Sequence, residues 1–276
     1  MTAIARRAPV PSPASGLVAS LLRSRRLVER NLLVYKRGWM VIFSGFFEPL
    51  FYLLGIGFGL GQLVPGVALS DGRIVSLAAF VAPGLLASSS MNGAIAESIF
   101  NVFFKLNFSK TYDAILATPL GIREIAVGEM LWSLFRGSIY VVTFVLVMFG
   151  LGLVLSPLVL LVIPASILIG ASFSAACLAA TSYLRTVQDF DLPMGLVVMP
   201  MFLFSGIFFP VSVYDPYPII RVVLEATPLF HAVSLLRGLA TGLLGWHELW
   251  DLAYLVVFGS LAMWIALNRL QQRLIK

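Results

Sequence analysis

Apolar residues come in blocks of about 20, the length a helix needs to cross a bilayer, and polar residues collect between the blocks. The pattern predicts an all-α integral membrane protein with six spans, at about 39–64, 75–100, 124–151, 157–183, 192–209 and 249–267. Pro49 is expected to kink the first span, and Gly55, Gly57, Gly59 and Gly61 give it two overlapping G-x-x-x-G patterns that let neighbouring helices approach. Pro83 and Gly84 are expected to interrupt the second span, which also carries Ser88, Ser89 and Ser90. Residues 101–123 are too polar to span and hold a short helix at roughly 110–117. Spans three and four form a tight hairpin around Ser156.

Two segments break the plan. In residues 17–37, Leu17, Leu21, Val28, Leu32 and Tyr35 share one helical arc, while Arg23, Arg26, Arg30 and Arg37 share the opposite one. That predicts a basic amphipathic helix on the membrane surface. It suits a lipid-facing anchor and equally a docking surface for a cytoplasmic partner. Residues 1–16, rich in Pro, Ala and Ser, predict a disordered tail. The second exception is the polar stretch 210–247. Pro210, Pro216 and Pro218 stop any helix there. Two short helices are expected, 219–225 and 229–239, the latter opened by Pro228 and closed by Arg237 and Gly238 at the headgroups. Each is too short to cross a bilayer but long enough to dip into one as a re-entrant helix.

Composition agrees. Hydrophobic residues make up 59% of the chain and charged ones 12%, against about a quarter charged in soluble domains; mean hydropathy is +0.96. The net charge of +6 is not a nucleic-acid signal, because the excess lies in tails and short loops. With the N-terminus inside, 15 of the 19 Lys and Arg fall in the tails and inward loops, and only Arg73, Arg221 and Arg237 in outward ones. That asymmetry places both termini in the cytoplasm and 210–247 outside. One cysteine, Cys177, excludes an intramolecular disulfide, and two histidines are too few for a metal cluster.

Four ionisable residues lie within spans: Glu48, Glu97, Glu129 and Arg136. Such groups pair or line a wet cavity. Similar depth suggests a Glu48–Arg136 pair, structural or substrate-facing, with Glu97 and Glu129 near the cytoplasmic ends, in reach of headgroups or basic loops. No phosphate-cradling G-x-x-x-x-G-K-[ST], H-E-x-x-H or G-x-S-x-G motif occurs, and no internal repeat suggests an inverted-repeat carrier. Two readings remain from the residues: the membrane subunit of a transporter energised by another chain, or a stand-alone membrane enzyme or proton-coupled carrier using these Glu and Arg residues.

A resemblance favours the first. The segments Ser205-Gly206-Ile207-Phe208-Phe209-Pro210 and Thr227-Pro228-Leu229-Phe230 followed by Leu236-Arg237-Gly238-Leu239 resemble the C-terminal signature of ABC-2-type exporter permeases, most closely the nodulation-factor (NodJ-type) and drug-resistance branch. Glu48-Pro49-Leu50 with the glycines after Tyr52 resembles that family's first span, and Lys110–Leu120 its coupling segment. The resemblance implies that Lys110, Thr111, Tyr112, Asp113, Ile115, Leu116, Pro119 and Leu120 meet a separate ATPase subunit. It implies that a second permease copy completes the path, lined largely by spans one, two and five. ATP and Mg²⁺ would sit on the ATPase, with no cofactor on this chain. An amphiphile would be exported, a lipo-oligosaccharide, a lipid-linked glycan or a hydrophobic drug. Phe202, Phe204 and Phe208 are then candidate side chains of an outer gate beside the 210–247 segment.

Overall fold

A computed structural model describes residues 17–35, 47–118 and 120–274. The expected tail 1–16, Arg37 and Pro119 lie outside the described residues. Besides the short 3-10 turns Gln188–Phe190 and Val211–Tyr214, ten helices are described: α1 (Leu17–Tyr35), α2 (47–62), α3 (Leu77–Asn107), α4 (Thr111–Leu116), α5 (Ile122–Gly150), α6 (Pro157–Thr181), α7 (192–204), α8 (Pro218–Glu225), α9 (Pro228–Thr241) and α10 (Trp246–Leu274). Among the described residues, α3, α5, α6 and α10 are long and apolar enough to cross a membrane. The pair α8–α9, bent by 78° at its break, counts as a fifth if taken as one span.

α3 is the buried centre of the bundle, packed on α2, α5, α6 and α9. Of Leu77–Ile95, Asn92 alone is not buried. Pro83 does not interrupt this helix, contrary to expectation. Neighbouring helices hold it in place, and Gly84 leaves room for the backbone of Ile207, whose Cα would lie 3.1 Å from a Cβ added there. α3 also runs past the predicted end of span two. Its residues Ala96–Asn101 form a wide π turn, after which α-helix resumes to Asn107. Thr181 donates its hydroxyl to the Ser98 carbonyl inside that turn (2.8 Å). Similar π turns occur at Leu53–Gly59 in α2 and Leu192–Val198 in α7.

The two G-x-x-x-G faces of α2 part company. Gly57 lies against Ala78 and Gly61 against Leu77, both on α3, whereas Gly55 meets nothing within 4 Å. The loop before α3 folds into a two-stranded pair, β1 (Val67–Ala68) and β2 (Ile74–Val75), turning through Gly72 at φ +84. There the Arg73 backbone N–H and side chain hold the Asp71 carboxyl below its ordinary pKa.

α9 does not stop at Arg237 and Gly238 as the sequence suggested. It continues to Thr241 and ends in a left-handed Gly242 (φ +80), the conformation that only glycine adopts freely. Pro228 opens its first turn as expected, and Thr227 caps the Phe230 N–H.

α1 packs on α5 at the end of the bundle that also carries α4. The buried face is Ser24, Leu27 and Asn31, lying between the apolar and basic arcs, while Leu32 is exposed. Gly128 makes the approach close; a Cβ there would meet Leu27 Cβ at 2.9 Å.

Candidate functional site

Three of the four ionisable residues predicted within spans, Glu97, Glu129 and Arg136, join a ladder between α3 and α5, with different partners from those expected. Arg136, the middle residue of α5, pairs with Glu97 in the π turn of α3, not with Glu48. Glu97 also accepts from Trp132 Nε1 (3.0 Å) and Asn101 Nδ2 (2.7 Å), and Arg136 Nε donates to Tyr140 Oη (2.7 Å). Glu97 therefore does not reach headgroups; it is buried with each oxygen engaged. The antiparallel run of α3 and α5 places the next pair two turns on. Glu129 meets Lys105 at 2.8 Å and accepts from the Tyr112 hydroxyl at 3.1 Å. Lys105 lies 3.5 Å from Asn31 of α1. Two anions and two cations thus neutralise each other, which a dry interior demands.

α4 hangs from this ladder. Lys110 adopts φ +46 and turns the chain into it. Tyr112 is buried rather than presented for docking. Burial, with the Glu129 charge beside it, pushes its phenol well above the ordinary pKa, so it stays a neutral donor. Ile115 and Leu116 are half-buried against α5 and α10, and Thr111 and Leu120 are half-buried too. Lys110, Asp113, Ala114, Ala117 and Thr118 are exposed. Neighbouring ties stiffen the same end. Arg23 pairs with Glu124 (3.2 Å). Arg273 donates to the carbonyls of Thr181, Ser182 and Leu184 and to Asn107 Oδ1 (2.7 Å), which fastens α10 to the ends of α6 and α3. Arg26 and Arg30 face outward on α1.

At the opposite end α7 stops at Phe204. Ser205 is buried, and Gly206 (φ +79) turns the chain away. Arg237 projects from α9 into this break. Its guanidinium donates to the carbonyls of Gly206 (2.7 Å), Ile207 and Phe80, and lies 3.9 Å over the Phe80 ring. It is a tie across three elements, not a headgroup anchor at a helix end. Gly238 lies inside α9, where a Cβ would meet Glu248 at 2.8 Å. Of the candidate gate residues, Phe202 and Phe208 are buried against Tyr52 of α2, with centroids 5.5 and 6.2 Å away. Phe204 and Phe209 are exposed, and Pro210 is half-buried.

Two features escaped the sequence reading. His231 of α9 forms a buried pair with Asp251 of α10 (2.6 Å) and stacks on Tyr254 at 3.9 Å. The signal was a lone aspartate two residues inside the expected last span. Lys105 was the other, hidden by ending span two too early. Glu48 stands apart from the ladder. It is exposed on α2, with Asn92 Nδ2 3.5 Å away. No group of three His, Cys, Asp or Glu residues suited to a metal ion is present among the described residues.

A bundle of long apolar helices with a charge-neutralised interior is the architecture of an integral membrane protein. The chain belongs to the ABC-2 type transporter family, whose model matches residues 24–240. It is 30% identical over 242 residues to nodulation protein J of Rhizobium leguminosarum bv. trifolii, covering 86% of each chain. It is 28% identical over 247 residues to nodulation protein J of Sinorhizobium fredii, covering 89% of this chain and 92% of that one. A third nodulation protein J, from Rhizobium leguminosarum bv. viciae, is 32% identical over 215 residues, with 77% and 80% covered. Family and relatives make this chain a transporter membrane subunit of the exporter type.

Proposed function

We propose that the chain is the permease of an ATP-driven exporter that moves an amphiphile out of the cytoplasm or the inner leaflet. The amphiphile is a lipo-oligosaccharide, a lipid-linked glycan or a hydrophobic drug. A separate ATPase subunit carries ATP and Mg²⁺ and docks under α4 and α1, and a second permease copy completes the path. The reading includes six spans in a cytoplasmic membrane, both termini inside, and α8–α9 as a re-entrant cap with Phe204 and Phe208 at the outer exit.

The observation that carries it is the wiring of α4. An ATPase pressing on the exposed Lys110–Asp113–Ala117 face would move Tyr112, and through Glu129 and Lys105 it would move α5 and α3 together. Pairing of Glu97 with Arg136 and of Glu129 with Lys105 takes those two carboxylates out of proton uptake, which weighs against a stand-alone proton-coupled carrier that relies on them.

The test is assembly. Ala117→Arg is expected to leave the permease in the membrane but to abolish copurification of the ATPase, because a bulky cation is forced into the contact. Normal copurification and transport in both Ala117→Arg and Ala114→Arg would sink the docking face.

Topology is checked separately in intact cells. With Cys177 replaced by Ala, a cysteine at Asp215 is expected to label from outside and one at Lys110 is not. The reverse pattern refutes the orientation.

A further inference from the structure

Of the four ionisable residues that the sequence places within spans, Glu48 is the one the ladder leaves out. Its neighbour Asn92 is the middle residue of α3, roughly 20 Å from either end at the helical rise. The carboxylate is therefore held at mid-depth of the bundle, yet exposed. Among the described residues no Lys, Arg or His lies within salt-bridge reach of it; its one polar contact, to Asn92 Nδ2 at 3.5 Å, is too long to be strong. Two independent features meet here. The cover over α3 opens at one residue of Leu77–Ile95, and that residue is Asn92. The opening adjoins Glu48, which forms no salt bridge among the described residues. Phe47 and Phe51, exposed on the same arc of α2, make the rest of this face apolar.

A charged carboxylate facing hydrocarbon at this depth is costly, so the face meets water or a polar ligand. An ionised carboxylate accepts and never donates, whereas the Asn92 amide can do both. Together they welcome a headgroup that donates hydrogen bonds through hydroxyl or ammonium groups. They oppose one that carries phosphate, sulfate or carboxylate, because two like charges would be desolvated side by side.

We propose that Glu48 and Asn92 are the specificity-determining pair of the transport path, a charge filter at mid-depth that admits neutral and cationic headgroups and rejects anionic ones. The Phe47–Phe51 face beside them takes the alkyl portion. This rests on the permease reading above and narrows its substrates: an amphiphile with an exposed anionic headgroup is a poor cargo for this chain.

Two measurements on the full permease–ATPase complex in phosphatidylcholine nanodiscs test it, both read without ATP. In the first, Cys177→Ala is combined with Glu48→Cys, and with Val257→Cys as a control exposed on α10. The cysteine at position 48 is expected to react with a water-soluble methanethiosulfonate about tenfold faster or more than the control, since thiolate forms only where water reaches. Equal, slow reaction at both positions overturns the wet face. In the second, binding of two fluorescent amphiphiles of equal chain length, one with a primary ammonium head and one with a sulfate head, is read by anisotropy. Wild type is expected to prefer the cation by about tenfold or more. The isosteric Glu48→Gln is expected to bring the ratio near unity, and Glu48→Lys to invert it. An unchanged ratio in Glu48→Gln overturns the filter. Failure of the permease reading itself looks different: wild type then shows no ATP-driven export of either probe, whatever the labelling and binding results.

Discussion

Arg136→Leu is expected to prevent accumulation of folded protein. The substitution leaves Glu97 buried with Trp132 and Asn101 as its donors and no cation. Breaking a buried pair from one side costs about 3–5 kcal/mol, a large share of the roughly 5–15 kcal/mol that holds a domain folded. Arg136 also gives up its bond to Tyr140, so a buried phenol loses its partner. The double variant Glu97→Gln with Arg136→Met should recover most of the loss. It removes both charges, keeps an amide oxygen for Trp132 and Asn101 to donate to, and fills similar volume. Thermal denaturation of the detergent-solubilised permease, run as a double-mutant cycle, checks the ordering. A double variant as unstable as Arg136→Leu would mean that packing, not charge balance, sets the cost. If the double variant folds and still exports, the pair is structural and the path runs elsewhere.

The ladder was partly legible before the structure. Glu97 and Lys105 lie about two helical turns apart in one segment, and Glu129 and Arg136 lie about two turns apart in another. Antiparallel neighbours with opposite charges at matching spacing meet in two pairs. The apolar pattern ends span two at Phe100, which puts Lys105 in a loop and leaves Glu48 as the nearest expected partner for Arg136. The π turn at Ala96–Asn101 is the physical reason. It lets the helix carry a polar stretch around its widest part, where Ser174 and Thr181 of α6 satisfy Ser98. Hydropathy, which averages over a window, registers only the polarity and ends the span.

The same limit explains the other departures. Pro83 reads as a break because local rules penalise it, yet α3 is buried all round at this point and tertiary packing holds it helical. Arg237 followed by Gly238 reads as a helix end because a cation suits a C-terminus. In the fold the cation serves another helix's end, the carbonyls left open where α7 breaks at Gly206. No local pattern shows which helix a side chain will cap. Features fixed by nearest neighbours fared better: the short α4 helix, the Thr227–Pro228 start of α9 and the bounds of α5 and α6 agree with expectation to within a few residues. Amphipathicity marks α1 as a helix but not the face that packs, because Ser24 and Asn31 look solvent-facing until Glu124 and Lys105 are placed beside them.

Tyr112 is expected to give the sharpest contrast at the coupling end. Tyr112→Phe removes one hydroxyl that donates to the Glu129 carboxylate, a loss of about 1.5–3 kcal/mol, and fills the same buried space. Folding and ATPase docking should survive, since the exposed face of α4 is untouched. Tyr112→Asp places a second carboxylate against Glu129 in a buried site and leaves a cavity where the ring was. One carboxyl must then stay protonated or the two must separate. Either way α4 swings off α5, Lys105 loses its fixed partner, and ATP hydrolysis should no longer respond to substrate. The expected order of coupling ratio, transported substrate per ATP, is wild type, then Tyr112→Phe, then Tyr112→Asp near zero. Lys105→Met should fall between the last two, because it strands Glu129 without its cation while Tyr112 still donates. The pH dependence follows from the raised phenol. A group whose folded pKa lies above its unfolded value stabilises fully below the unfolded value, and that contribution fades as pH climbs towards the folded one. The Tyr112 contribution should therefore hold from neutral pH up to the ordinary tyrosine range near about 10 and decline above it. Tyr112→Phe, having no proton to lose, should not share that alkaline decline. Coupled ATP hydrolysis measured in reconstituted complexes at matched expression decides it. A Tyr112→Asp complex that still couples would show that α4 transmits nothing through Glu129, and the route from ATPase to path would have to pass through α1 and its Arg23–Glu124 tie instead.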